Sequence, residues 1–85
     1  MEFTQQEDSF VHYDQNGEID AQINFEQNRE QHTLTVTRTY VSPALRGQGI
    51  AKQLAQRVKA YCCQEELQLK STCSYITKLI ETNRL

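Results

Sequence analysis

The stretch YVSPALRGQGIAKQLAQRV, residues 40–58, contains the point at which the pattern of the chain changes. It holds two of the 3 glycines and the 1 proline of the sequence. From Gly49 onward, apolar residues recur at the spacing of one helix face, whereas before this stretch they alternate with polar residues. The sequence therefore predicts strands before residue 42 and a helix from about Gly49.

Residues 9–41 predict three antiparallel strands in a meander. Asn16-Gly17 favours a tight hairpin turn, in which both central residues have positive φ. The alternation that follows is typical of strands with one face in water. The expected buried face holds Ile19, Ala21, Ile23, Phe25, Leu34 and Val36. The expected wet face holds Asp20, Gln22, Asn24, Glu26, Thr33, Thr35, Thr37 and Thr39.

The helix that begins in the quoted stretch is predicted to run from Gly49 to near Glu65. Its apolar stripe is formed by Ile50, Ala51, Leu54, Ala55, Val58 and Tyr61 or Cys62. Its solvated face is formed by Lys52, Gln53, Gln56, Arg57 and Lys59. The segment LQLKS, residues 67–71, predicts a fourth strand, and this strand is expected to lie parallel to the third because a helix joins them.

A second, shorter helix is predicted near the end of the sequence by the spacing of Ile76, Leu79 and Ile80. Thr72 is its expected N-cap, and Asn83 lies near its expected C-terminus. Residues 1–85 therefore predict a single α+β domain of order βββαβα. Its mixed sheet would have three antiparallel strands and a parallel fourth, with the helices mainly on one face.

The composition excludes several classes of protein. A net charge of −2 argues against nonspecific binding to nucleic acid, which depends on a basic surface. The first ten residues, MEFTQQEDSF, lack the basic and apolar runs of a signal peptide, and no apolar stretch is long enough to span a membrane. We therefore expect a cytoplasmic protein, a monomer or weak homodimer, that binds neither nucleic acid nor membrane.

The cysteines and histidines predict no metal site. Cys62, Cys63 and Cys73 form no CxxC pair, and His12 and His32 have no companions at ligand spacing. In a reducing compartment all three cysteines should be free thiols. Only one of the adjacent Cys62 and Cys63 can face the core.

The glycine-rich loop before the longer helix predicts an anion site. The N-terminus of a helix presents unpaired backbone N–H groups and attracts anions. Gly47 and Gly49 remove side chains that would keep a pyrophosphate away from these groups, and Arg46 adds a forked cation. The loop is neither a P-loop, since GxxxxGK[ST] is absent, nor the dinucleotide pattern GxGxxG, since Lys52 replaces its third glycine. The alternative interpretation of both glycines is a structural turn or a helix cap.

The pattern Arg46-x-x-Gly49-x-Ala51, between a strand and an amphipathic helix, resembles the acetyl-CoA loop of the Gcn5-related N-acetyltransferase superfamily. The chain is similar in particular to the minimal YjdJ-type branch of that superfamily. The similarity lies in RTYV at 38–41, RGQGIAKQL at 46–54 and CSYI at 73–76. The histidine of the family's first motif is Arg38 here, so a role of that imidazole is not carried over.

The resemblance implies an acetyl-CoA-dependent N-acetyltransferase, with acetyl-CoA as co-substrate and an amine of a small molecule or protein as acceptor. A backbone N–H near Val41 would polarise the thioester carbonyl. The residues expected to bind the cofactor are Val41, Arg46, Gly47, Gln48, Gly49, Ile50, Ala51 and Lys52.

The resemblance also implies two catalytic candidates. Cys73 begins the second helix, where the helix dipole favours the thiolate, and Tyr75 could protonate the departing thiolate of the cofactor. The alternative for Cys73 is a small residue that fills the junction between strand and helix, and the alternative for Tyr75 is surface packing. A non-catalytic CoA- or acyl-CoA-binding or interaction module is the alternative function.

Overall fold

The computed structural model of the chain describes residues 2–82. The strands are β1 (Thr4–Gln5), β2 (Ser9–Tyr13), β3 (Ile19–Asn28), β4 (Thr33–Val41) and β5 (Gln68–Ser71). The helices are α1 (Ile50–Glu65) and α2 (Ser74–Glu81), and a short 3-10 helix spans Pro43–Leu45. Asn83, the expected end of the second helix, lies outside the described residues.

The strands form one five-stranded mixed sheet in the order β1-β2-β3-β4-β5. Each of the first three strands pairs antiparallel with the next, and β5 pairs parallel with β4 after the α1 crossover. This arrangement confirms the predicted α+β fold and the parallel attachment of the strand after the long helix. The two-residue strand β1 was not predicted, because so short a segment carries no alternation pattern.

A single hydrophobic core lies between the sheet and both helices. The predicted stripe of α1 is buried except for the half-buried Ala51, and Ile76 and Leu79 of α2 join the same cluster. The rings of Phe10, Phe25 and Tyr61 pack with centroids 5.7 to 6.1 Å apart. One face of the sheet is therefore covered, and we call the other its open face. Within residues 2–82, neither helix has the length and apolar character needed to cross a membrane.

The turn between β2 and β3 differs from the predicted one. Gly17 has a φ of +82°, whereas Asn16 does not have positive φ. The Asp14 carboxylate instead accepts hydrogen bonds from the backbone N–H groups of Asn16 at 2.8 Å and Glu18 at 3.0 Å. The register shift at the end of β2 also places Ile19 opposite Tyr13, so that Ile19 is 38% exposed rather than buried.

A β-bulge in β4 is the feature of the fold that matters most for the site. Asn24 pairs with Arg38 and Phe25 pairs with Val36, which leaves Thr37 as an extra residue. Beyond the bulge Thr39 lies opposite the buried Ile23. The prediction that Thr39 shares the wet face with the other threonines is therefore wrong: the inserted residue turns it toward the helices.

The helix α2 begins one residue later than predicted. Cys73, not Thr72, occupies the N-cap position, and no side chain caps the helix there. The hydroxyl of Thr72 donates to the carbonyl oxygen of Val36 at 3.3 Å and so ties the end of β5 to β4. The backbone N–H of Cys73 donates to Ser71 Oγ at 3.0 Å.

Candidate active site

The edge of β4 that faces β5 is open along its second half. The pairing of β4 with β5 runs from Thr33 to Val36 and stops just before the bulge. The N–H of Ser42 donates to the carbonyl of Asp20 in the preceding strand at 2.8 Å. Because bonding direction alternates along an antiparallel strand, the backbone groups of Thr39 and Val41 point the other way, toward the edge that β5 leaves uncovered.

A groove of about 340 Å³ connects this open edge to the start of α1. It is lined by Val41, Leu45, Arg46, Gly47, Gly49, Ile50, Ala51 and Tyr75. The structure thus brings together all of the residues expected to bind the cofactor except Gln48 and Lys52, which do not line the groove.

The loop before α1 presents a run of unpaired backbone donors. The first backbone hydrogen bond of α1 joins the N–H of Gln53 to the carbonyl of Gly49 at 3.1 Å. The N–H groups of residues 47–52 have no acceptor within residues 2–82. Such a cluster at a helix N-terminus is suited to bind phosphate oxygens.

The backbone conformation also explains why the loop has glycine at two positions. Gly47 has a φ of +82° and Gly49 a φ of +74°, values that other residues rarely adopt. A Cβ at either position would meet no atom within 4 Å. Backbone geometry by itself therefore accounts for glycine here, and the open space beside each one leaves room for a ligand.

Side chains of the loop fix its position against β4. Arg46 Nε donates to the carbonyl oxygen of Val41 at 3.3 Å. This bond does not use the two terminal nitrogens of the guanidinium. Gln48 Nε2 donates to the carbonyl oxygen of Ala44 at 3.3 Å, so this side chain closes the loop. Lys52 is exposed in the first turn of α1.

Sequence reasoning did not single out Thr39, which does not itself line the groove. Its Oγ1 is buried and has no hydrogen-bond partner within residues 2–82. Buried hydroxyl groups are ordinarily paired, because an unpaired one costs free energy. Thr39 lies two residues before Val41 on the same face of β4. The β-bulge that turns it inward leaves no trace in the threonine pattern.

The two catalytic candidates occupy different surroundings. Tyr75 lines the groove and is 48% exposed. Cys73 is half-buried, packs against the hydrophobic core and does not line the groove. The geometry therefore brings Tyr75, and not Cys73, to the groove.

The adjacent cysteines behave as the helix pattern predicts. Cys62 is buried and Cys63 is exposed, and all three cysteines of the described part are free thiols. Burial, and to a lesser extent the neighbouring Cys63, raises the pKa of the Cys62 thiol to about 11. This thiol is protonated at neutral pH and serves as a core residue.

Comparisons of sequence agree with the geometry. A sequence profile of the family described as GCN5-related N-acetyl-transferase matches residues 9–84. Protein NATD1 of Xenopus tropicalis is 40% identical over 53 residues, which cover 62% of this chain and 49% of that protein. Protein NATD1 of Mus musculus is 43% identical over 47 residues, which cover 55% of this chain and 43% of that protein. The chain spans about half the length of the curated relatives it matches.

Comparisons of structure give the same family. The solution structure of a GCN5-like protein from Staphylococcus aureus has a TM-score of 0.77 and 26% identity, over 96% of this chain and 79% of the other. Tetrahymena GCN5 has a TM-score of 0.68 and 17% identity, over 89% of this chain and 47% of the other, and so shows the fold alone. The five-stranded mixed sheet with two helices defines an α+β domain. This chain belongs to the GCN5-related N-acetyltransferase family.

Proposed function

We propose that the chain is an acetyl-CoA-dependent N-acetyltransferase of the minimal YjdJ-type branch, acting on an amine of a small molecule or protein. The observation that carries the proposal is the groove between the open edge of β4 and the N-terminus of α1. One end of the groove offers N–H groups and a guanidinium, which suit phosphates. The other end offers the backbone of an unpaired strand, which suits the amides of a pantetheine arm.

The cofactor would be held by two sets of backbone groups. The N–H groups of residues 47–52 would donate to the pyrophosphate, and Arg46 would add positive charge. Thr39 and Val41 would pair with the pantetheine amides, in place of the strand pairing that ends at Val36. The unpaired hydroxyl of Thr39 supports this placement, because the thioester end of the arm would supply its missing partner.

The same groups would support acetyl transfer. The N–H of Val41 and the hydroxyl of Thr39 would donate to the thioester oxygen as it gains negative charge. A neutral amine attacks the carbonyl carbon, the new C–N bond forms, and the C–S bond breaks. Tyr75 would give a proton to the departing thiolate, and the acceptor nitrogen would release one to water.

A non-catalytic acyl-CoA-binding module is the second candidate. The residues that line the groove include no carboxylate and no imidazole, so the described part of the chain offers no general base there. An enzyme would then depend on positioning and on an amine that is already neutral. The proposed location is the cytoplasm, where Cys62, Cys63 and Cys73 would stay reduced, and the proposed state is a monomer or weak homodimer.

Ala51→Glu tests the binding site. Ala51 lies in the first turn of α1 and lines the groove, so a carboxylate there would repel the pyrophosphate while suiting the helix dipole. Titration of acetyl-CoA, followed by the amide shifts of residues 46–52, should give an affinity at least about tenfold weaker for the variant. The exposed Ala60 on the same helix provides the matched control Ala60→Glu, which should bind like the natural chain. Equal affinity of both variants and the natural chain would remove the proposed site.

Release of free CoA in the presence of amines, peptides and polyamines separates the two candidate functions. Release that depends on an acceptor identifies the enzyme. Binding of acetyl-CoA at residues 46–52 without release for any acceptor identifies the binding module.

A further inference from the structure

A small pocket of about 210 Å³ lies on the open face of the sheet, away from the groove. Its lining consists of Gln22, Asn24, Arg38 and Tyr40. These residues are cross-strand neighbours, since Asn24 pairs with Arg38 and Gln22 with Tyr40. The bulge at Thr37 creates this arrangement, because it sets the register in which Arg38 meets Asn24.

The pocket is rich in hydrogen-bond donors. Gln22 Nε2 donates to Asn24 Oδ1 at 2.7 Å, and the amide nitrogen of Asn24 has no acceptor within residues 2–82. The Arg38 guanidinium has no ion-pair or hydrogen-bond partner within residues 2–82. Tyr40 adds a phenol hydroxyl, and no carboxylate lines the pocket. Such a set of donors around a cation suits an anionic group, a carboxylate or a phosphate.

Asp20 and Asp14 are engaged elsewhere, and Glu26, which lies two residues from Asn24 on the same face of β3, lines a separate pocket. Asp20 Oδ1 lies 2.6 Å from His12 Nδ1, and Asp14 accepts hydrogen bonds from the backbone of its own turn. Neither is directed to the pocket, so nothing in its lining neutralises Arg38.

The pocket and the open edge belong to the same piece of β4. Arg38 and Tyr40 alternate along β4 with Thr39 and Val41, whose backbone groups point toward the open edge. Because a strand rises about 3.3 Å per residue, Arg38 and Val41 are separated by roughly 10 Å along β4. A molecule anchored in the pocket therefore has its far end within reach of a thioester at the edge.

We infer that this pocket binds the anionic group of the acetyl acceptor, so that the acceptor is an amine that also carries a carboxylate or a phosphate. The inference rests on the proposed function and names the substrate class for it. Arg38 is the residue that binds the anion, and Asn24 and Tyr40 complete the set of donors.

The test measures CoA release with three amines of similar length: 4-aminobutyrate, 3-aminopropyl phosphate and 4-aminobutanamide, which lacks an anionic group. The better of the two anionic amines should exceed the amide in kcat/KM by about tenfold or more. The preferred anionic amine shows whether the pocket binds a carboxylate or a phosphate. In Arg38→Gln this ratio should fall to about one, and in Arg38→Lys it should be intermediate because the charge remains without the fork.

Lys70→Gln is the matched control, since Lys70 is an exposed cation of β5 and does not line the pocket. It should keep the natural ratio. The inference is overturned if the amide is used as well as the anionic amines, or if Arg38→Gln leaves the ratio unchanged.

A second measurement decides the case in which no CoA is released at all. The CoA-loaded protein is titrated with each anionic amine while the backbone amide shifts of residues 22, 24, 38 and 40 are followed. Shifts that are lost in Arg38→Gln support the anion pocket even if the chain is not an enzyme, whereas no shift with either probe overturns it. The acetyl-CoA titration at residues 46–52 reports separately on the proposed function.

Discussion

At the scale of single residues, Thr39 stands apart because its hydroxyl is buried without a partner. An unpaired buried hydroxyl costs on the order of 1 to 3 kcal/mol, and valine of nearly the same shape would avoid this cost. A residue that lowers stability in the free protein has a natural explanation if the cofactor completes its hydrogen bonding.

Thr39→Val should therefore separate stability from binding. We expect the free energy of unfolding in urea to rise by about 1 kcal/mol, because the buried unpaired group is removed. We expect the affinity for acetyl-CoA to fall by about fivefold or more, because the thioester loses a donor. Thr35→Val, on the open face, is the control and should leave the affinity unchanged. A loss of stability in Thr39→Val would contradict this explanation.

The catalytic candidates are separated by their position relative to the groove. Tyr75→Phe removes the proposed proton donor and should lower kcat by about tenfold or more, with little change in acetyl-CoA affinity. Cys73→Ala should keep kcat within about twofold, since Cys73 does not line the groove. Steady-state CoA release measures both. A loss of turnover in Cys73→Ala, with the fold intact, would instead favour a covalent acetyl-cysteine.

The paired cysteines give a prediction about reactivity. With the pKa of Cys62 raised to about 11, its thiolate fraction at pH 8 is roughly one in a thousand. In the folded protein an alkylating reagent should modify the exposed Cys63 first and leave Cys62 intact. Raising the pH toward 11 should increase the reactivity of Cys62. Peptide mass mapping after brief treatment measures the order, and equal modification of both at pH 8 would contradict it.

At the scale of elements, the strand–helix order followed from hydrophobic periodicity. The stripe of α1, the parallel β5 and the α2 core residues were predicted because the side chains alternate at periods that differ between strands and helices. The sequence also predicted which residues meet at the groove, because the end of a strand, a glycine loop and a helix N-terminus are consecutive in the chain. Among the groove residues, only Tyr75 comes from a distant segment of the chain. It was predicted as a candidate because it lies in the family-like motif CSYI.

The bulge could not be predicted in the same way. Threonine suits either face of a strand, so the run Thr33, Thr35, Thr37 and Thr39 is compatible with a regular ladder and with an interrupted one. Its effect is large, since one extra residue sets where Thr39 and Arg38 lie relative to β3. The hairpin at Asn16-Gly17 forms, but the positive φ expected at Asn16 was wrong for a related reason: the Asp14 side chain supplies hydrogen bonds that a backbone turn pattern does not contain.

Deletion of Thr37 tests whether the bulge keeps the edge of β4 open. Bulges increase local twist, and the β4–β5 pairing stops at Val36, just before this residue. Without Thr37 the faces of Thr39 and Val41 are retained, but we expect the straighter strand to pair further with β5. Hydrogen exchange at residues 39 and 41 should then slow in the free protein, and acetyl-CoA affinity should fall by about tenfold. Unchanged exchange and affinity would contradict this role.

At the scale of the whole molecule, the groove is formed by two segments far apart in the chain, residues 41–51 and α2. β5 pairs with β4 through a four-residue ladder, α2 packs on the common core, and Tyr75 of α2 lines the groove beside the loop before α1. A ligand in the groove would contact both parts and so stabilise the entire fold.

Acetyl-CoA should therefore raise the thermal stability of the domain. At a concentration about 100 times Kd the stabilisation is roughly 2.7 kcal/mol, which for a domain of this size corresponds to a rise in Tm of about 10 °C or more. Differential scanning fluorimetry measures the shift, and Ala51→Glu should show little of it at the same concentration. A full shift in that variant would place the ligand elsewhere.

The alternation of side chains along β4 has a kinetic consequence under the proposed function. Donor and acceptor would reach the reacting centre from opposite sides of one strand, so neither has to leave before the other arrives. Both would be present together in a ternary complex. Double-reciprocal plots of initial rate against acceptor concentration, at several fixed donor concentrations, should therefore intersect rather than run parallel.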